Sequence, residues 1–142
     1  MKPAILSPNL SALPQLSVDD IGQLADLGYR SIIGNRPDGE APDQPTWKTI
    51  KAAARARGME AVHIPIVVSE INAADIRAFR EALERLPKPI AAFCRTGTRS
   101  TLLWALANEE GLSADQRIEI AGNQGYDLEP FRALLTREAT NA

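Results

Sequence analysis

Residues 93 to 100 read Phe-Cys-Arg-Thr-Gly-Thr-Arg-Ser and contain the only cysteine of the chain. A cysteine thiolate is a strong nucleophile, and an arginine guanidinium presents a fork of donors to an anion. Cys94 and Arg99 bracket Arg95, Thr96, Gly97 and Thr98, and Ser100 follows at once. Gly97 supplies the positive-φ freedom that a backbone needs to curl round a sulfur atom. Successive N–H groups in such a curl form an anion-binding nest. Two arginines and a following helix start put positive potential on the sulfur, the setting in which cysteines act as nucleophiles. Ser100 is positioned in sequence to donate a hydrogen bond to the sulfur as charge leaves it. The set describes an activated cysteine facing an anion cradle. A buried, inert thiol at an ordinary helix start is the competing reading. It leaves the coincidence of Cys, Gly, Arg and Ser at these offsets unexplained.

Such a loop has to be held by a strand before it and a helix after it, and the flanking pattern provides both. Four apolar runs read as strands: residues 4–7, 29–35, 60–68 and 89–94, the last ending at Cys94. Between them, Val18, Ile21, Leu24 and Ala25 follow a 3.6 period behind Ser17, with Asp20 at the capping-box position. Trp47, Ile50 and Ala54 mark a second helix that Gly58 can close. Ile76, Phe79, Leu83 and Leu86 mark a third, begun by Asn72 and stopped by Pro87 and Pro89. Leu102, Leu103, Leu106 and Ala107 mark a fourth, starting near Arg99 and ending at Gly111. Two more follow, one after Ser113 and one carrying Leu128, Phe131, Leu134 and Leu135. Strands alternating with helices of this length imply right-handed crossovers and a parallel sheet covered on both faces. The expectation is one α/β domain over residues 1–142: a three-layer fold with a mostly parallel sheet of about four strands. Ligands of such sheets bind beyond the carboxyl ends of the strands, where Cys94 falls.

The composition narrows the partners. With 142 residues and a net charge of -2, the chain has no basic footprint for nucleic acid or an anionic membrane. The first residues are too sparsely apolar for a signal peptide, and no run approaches the ~18 residues that span a bilayer. A cytoplasmic protein is expected. One cysteine and one histidine cannot make a structural zinc site, and no glycine-rich nucleotide loop is present. No cofactor is called for.

Three other positions carry competing readings. Arg36, in "NRPDGE" at residues 35–40, either faces the substrate anion or pairs with Glu40 or Asp38 as scaffolding, the scaffold being preferred. His63 lies opposite Val62, Ile64 and Ile66 on its strand, which favours a hydrogen-bonded structural role over catalysis. Trp47 and Trp104 sit at helical spacing among aliphatic residues and read as core.

Cys-x4-Arg-Ser after a strand resembles the active loop of cysteine-based phosphatases and rhodanese sulfurtransferases. The segments 15–40, 61–66 and 91–106 resemble more specifically the phosphatase-like domain of the bacterial beta-lactamase-hydrolase-like proteins. That resemblance covers nearly the whole chain and implies a dual-specificity-phosphatase-like fold. Two departures point toward sulfur chemistry. Phosphatases place five residues between cysteine and arginine, whereas four stand here, as in many rhodaneses. Phosphatases also carry an acidic residue after the third strand, where "VVSEIN" leaves only Glu70 as a nearby acid. Whether Glu70 or Asp38 protonates anything stays open at this point. The resulting expectation is a sulfurtransferase with catalytic Cys94, Arg99 and Ser100. Arg95, Thr96, Gly97, Thr98 and Arg36 would bind a small anionic sulfur substrate, and an acceptor thiol would remove the sulfur. A phosphatase acting through a thiophosphate is the alternative reading, and a non-catalytic thiol sensor or anion-binding module is a third.

Overall fold

Alternation along the strands sends side chains to two separate cores, one on each face of a five-stranded sheet. The computed structural model describes residues 1–140, with side-chain detail through residue 137. Strands β1 (Ala4–Ser7), β2 (Leu10–Leu13), β3 (Ser31–Gly34), β4 (Glu60–His63) and β5 (Ile90–Phe93) lie in the order β1-β2-β5-β3-β4. β1 and β2 make an antiparallel hairpin, and β2, β5, β3 and β4 run parallel. The parallel core and the covering layers match the sequence expectation. β2 adds a fifth strand to it. Leu10–Leu13 is short, flanked by Pro8 and Pro14, and broken by Ser11, so it gives no alternation to read. All four of its residues are buried, because β2 pairs with β5 in the middle of the sheet. β4 ends at His63, earlier than the apolar run suggests, since Pro65 has no N–H for the ladder. Ile64 N–H and Ile66 N–H still bond to the carbonyls of Gly34 and Asn35, at 2.8 and 3.1 Å, so this segment stays alongside β3.

On one face Leu13, Ile32, Ala91 and Phe93 pack against α1 (Val18–Asp26) and α2 (Trp47–Ala56). On the other, Ala12, Ile33, Ile90 and Ala92 meet α3 (Ala73–Arg85) and α4 (Thr98–Ala107). α5 (Ala114–Asn123) and α6 (Arg132–Thr140) close over α4 through Ala121 and Leu135. Ser17 and Asp20 form the expected capping box at α1, and Asn72 with Asp75 forms another at α3. Each buried Leu, Ile or Phe in these layers contributes roughly 1.5–3 kcal/mol relative to exposure. α4 differs from its neighbours in having every residue from Ser100 to Ala107 buried. A helix packed on all sides cannot shift without disrupting both layers around it. Arg99 and Ser100 ride on its first turn, so the site inherits that rigidity. No helix among the described residues is long and apolar enough to cross a membrane.

Candidate active site

The carboxyl ends of β5, β3 and β4 deliver Cys94, Asn35–Arg36 and Ile64–Ile66 to one edge of the sheet. Cys94 is the first residue past β5 and is 1% exposed. Its N–H continues the ladder to Leu13 C=O at 3.3 Å, which fixes the Cα position. The chain then turns back on itself, and Gly97 N–H donates to Cys94 Sγ at 3.0 Å. Gly97 has φ +100 and caps α4. A Cβ there would also collide with the Tyr126 hydroxyl, so glycine is required twice over. The Thr98 N–H bonds to Thr96 Oγ1 at 3.3 Å, and the Thr96 and Thr98 hydroxyls lie 3.0 Å apart, tying the rim of the loop to itself. The first helical bond of α4 runs from Thr101 N–H to Gly97 C=O at 3.0 Å. The N–H groups of Arg99 and Ser100 precede that bond and belong to the positive end of the helix.

Charge around the sulfur is organised by one carboxylate. Arg99 Nη1 donates to Glu40 Oε2 at 2.6 Å and to Ile66 C=O at 3.1 Å, while Nη2 donates to Glu40 Oε1 at 2.8 Å. Arg36 Nε donates to the same Glu40 Oε1 at 2.9 Å, and Arg36 Nη1 to Gln15 Oε1 at 3.1 Å. Hydrogen bonds from Arg99 first, then Arg36, hold the Glu40 carboxyl down at about 2 against the opposing effect of burial. Arg99 is pushed above the ordinary arginine range, chiefly by Glu40 and also by negative charge at Cys94. Two guanidinium groups thus share one carboxylate, and one positive charge is left uncancelled beside the sulfur.

The structure brings Cys94, Gly97 and Arg99 together, with Arg36 behind Glu40 and nearly buried. Arg95 and Thr96 stand exposed on the outer side of the loop, and Thr98 is half-buried. Ser100 departs from its expected role. Its hydroxyl donates to Asn35 Oδ1 at 2.7 Å, so its proton is committed to the β3 end rather than to the sulfur. The reason is burial: Ser100 and Asn35 are both fully enclosed, and the Asn35 carbonyl oxygen requires a donor. Asn35 also reaches Ile64 C=O through Nδ2 at 2.9 Å, joining the loops after β3, β4 and β5. His63 Nε2–H donates to Arg36 C=O at 2.9 Å, and its ring stacks on Trp47 with centroids 4.9 Å apart. Asp38 Oδ1 accepts from Trp47 N–H at 2.8 Å at the start of α2. Glu70 ends an exposed single turn, Val68–Glu70.

Glu40, Asn35, Gln15 and Tyr126 were not legible as site residues. Glu40 offered itself only as a partner for Arg36, four positions away. Its pairing with Arg99 spans 59 residues and depends on β3 and β5 being neighbours.

A cysteine at a parallel strand's carboxyl end, wrapped by a loop and faced by the arginine of the next helix, defines a phosphatase-like α/β domain. The chain belongs to the family described as beta-lactamase hydrolase-like protein, phosphatase-like domain, which its residues 4–111 match. A beta-lactamase hydrolase-like protein of Xylella fastidiosa (strain Temecula1) is 35% identical over 141 residues, covering 98% of this chain and 33% of that protein. The chain spans about a third of the length of the curated relatives it matches. The crystal structure of a "putative phosphatase" from Neisseria meningitidis Z2491 is 36% identical, with a TM-score of 0.88 over 95% of this chain and 96% of that one. Kinase-associated phosphatase shares the fold alone, at 18% identity and a TM-score of 0.70 over 93% of this chain and 84% of its own.

These matches overturn the sulfurtransferase expectation, since both family and similar structure are phosphatase-like. The expectation rested on the four-residue spacing of the loop and on the lack of a well-placed acid after the third strand. In the folded chain α4 starts directly at Thr98, so helix N–H groups supplement a short loop, and the four-residue spacing does not limit the cradle to a lone sulfur atom.

Proposed function

We propose that this domain is a cysteine-dependent phosphatase that hydrolyses phosphate monoesters. Cys94 Sγ attacks phosphorus, the P–O bond to the leaving group breaks, and a thiophosphate forms on the cysteine. Water then attacks phosphorus, the P–S bond breaks, and phosphate departs with the thiolate restored. The observation that carries this reading is the orientation of Arg99. Glu40 and Ile66 C=O take up both Nη1 protons and one on Nη2, leaving Nε–H and the other Nη2–H as a two-pronged donor for equatorial phosphoryl oxygens. The N–H groups at the start of α4 add donors for the same charge.

The leaving-group side supports a narrower substrate class. Glu40, the carboxylate next to the loop, stays ionised down to about pH 2 and cannot supply a proton at neutral pH. Val67 and Val68, 45% and 41% exposed, present apolar surface on the segment that follows Ile66. Aryl phosphates suit such a rim, because a phenolate leaves without full protonation and its ring can lie on valine side chains. The test is phosphate release from aryl and alkyl monoesters, together with mass analysis of Cys94 in acid-quenched reactions. Release from the aryl ester, a phosphorylated Cys94 and loss of both in Cys94→Ser are expected. No release from any monoester overturns the proposal.

A further inference from the structure

Tyr126 lies between α5 and α6, outside the 4–111 stretch, yet it reaches back to the active loop. Its hydroxyl donates to Thr96 C=O at 3.0 Å. The next atoms along the same peptide unit are Gly97 N–H, which donates to Cys94 Sγ at 3.0 Å. In a trans peptide the C=O and N–H point in opposite directions within one plane. Whatever holds the Thr96 oxygen therefore aims the Gly97 N–H. We infer that Tyr126 is a positioning residue for the nucleophile, acting through the Thr96–Gly97 peptide to point and polarise the N–H that stabilises the Cys94 thiolate.

Three observations bear on the same contact. The absence of a Cβ at Gly97 is what lets the Tyr126 hydroxyl approach, since any side chain there would occupy its place. Tyr126 stays a proton donor at neutral pH, because burial first, and negative charge at Cys94 second, push its phenol above the ordinary value. Hydrogen bonds in series also polarise one another, so donation into the carbonyl strengthens donation from the N–H.

This inference rests on the phosphatase reading for its kinetic consequence, and the consequence is specific to one step. The thiolate is the form that attacks and the form that is released, whereas within the thiophosphate the sulfur carries no full charge. Losing thiolate stabilisation therefore slows departure of sulfur from phosphorus without slowing attack by the thiolate. In Tyr126→Phe, which keeps the ring and removes only the hydroxyl, rapid-quench measurement should show phosphorylated Cys94 persisting about five-fold longer. That is the factor for a hydrogen bond of about 1 kcal/mol. Its rate of formation from an aryl phosphate should stay within about two-fold. Without any substrate, the Thr96 carbonyl-carbon and Gly97 amide-proton NMR shifts should both move in Tyr126→Phe. Equal slowing of both steps would make Tyr126 merely structural and overturn the inference, as would unchanged kinetics. Unmoved Thr96 and Gly97 shifts overturn it whatever the kinetics show. If the wild-type protein releases no phosphate, the phosphatase reading fails, and the NMR arm alone decides the relay.

Discussion

The loop after β5 and the loop after β4 face the same space but are built on opposite plans. Between Cys94 and Thr101 most polar side chains have a named partner: the sulfur has Gly97 N–H, Arg99 has Glu40 and Ile66, and Ser100 has Asn35. Between Val67 and Glu70 the side chains are exposed, and backbone bonds from Glu70 N–H to Val67 C=O and from Ile71 N–H to Val68 C=O close a single turn. On the proposed phosphatase reading, the difference separates two tasks of one reaction. Binding the phosphoryl group needs donors fixed before the substrate arrives, since reorganising them during the reaction would add to the barrier. The departing group is handled by a surface with little fixed chemistry, so its own acidity must carry the step.

Removing the central cation should break this contrast most severely. Arg99→Ala takes away the donor fork together with the uncancelled positive charge, leaving Glu40 paired with Arg36 alone. A loss on the order of 10³-fold in kcat for an aryl phosphate is expected. Arg99→Lys should recover little of it, because an ammonium cannot bond Glu40 and a phosphoryl group in one plane. Recovery to within about ten-fold would mean that charge alone, and not orientation, matters.

Next in size is the carboxylate that sets the orientation. Glu40→Gln keeps a hydrogen-bond acceptor but removes the charge shared by Arg99 and Arg36, and Ile66 C=O still holds one Nη1 proton. A loss of about ten-fold in kcat/KM is expected, as for a weakened bond to a charged group. The same variant has a stability signature. Glu40 titrates at about 2 in the fold against an ordinary 4.5, so the unfolded chain takes up the proton first as pH falls. Its stabilising charge is complete above about pH 5 and is lost progressively toward pH 2. Wild type should therefore exceed Glu40→Gln in urea midpoint at neutral pH, with the gap closing below pH 5. A gap independent of pH would place the effect in packing.

What was readable beforehand follows the same division. Local signals gave the loop after β5, because Cys94, Gly97 and Arg99 lie close in sequence and the spacing that folds them together is visible there. They also gave the helix starts at Ser17 and Asn72, where cap and capping-box residues stand three positions apart. The Glu40–Arg99 pair and the Tyr126–Thr96 contact exist only because distant segments meet, so no spacing announced them. β2 escaped because a four-residue buried strand between prolines has too few positions to display a period. The reading of sulfur over phosphorus failed for a related reason: it weighed loop length and a missing acid above the donors that the start of α4 adds to the loop.

Ser100 ties the two loops together through Asn35 and should show a smaller catalytic effect than its place beside Arg99 suggests. Ser100→Ala leaves the buried Asn35 Oδ1 without its donor, which costs about 1–3 kcal/mol of stability. Its kcat should fall by less than about ten-fold, since the hydroxyl does not face the sulfur. Urea unfolding and steady-state kinetics on one preparation check both. A large loss of kcat with an unchanged urea midpoint would return Ser100 to the chemistry.

The smallest effect is expected where the sequence offered its nearest acid. Glu70 ends the exposed turn on the leaving-group side, and its side chain is surrounded by solvent rather than directed by a partner that could hold it against a substrate oxygen. A general acid has to lie within hydrogen-bond reach of the oxygen it protonates, and it is useful only when water does not compete for the same position. Glu70→Gln should therefore change kcat/KM for an aryl phosphate by less than about two-fold across the acidic and neutral range. Alkyl phosphates, whose leaving groups need the proton more, make the sharper probe. If Glu70→Gln loses alkyl-phosphate turnover by ten-fold or more, with the loss confined to low pH, the turn closes over bound substrate and Glu70 becomes its acid. The contrast between the two loops would then not extend to the substrate complex.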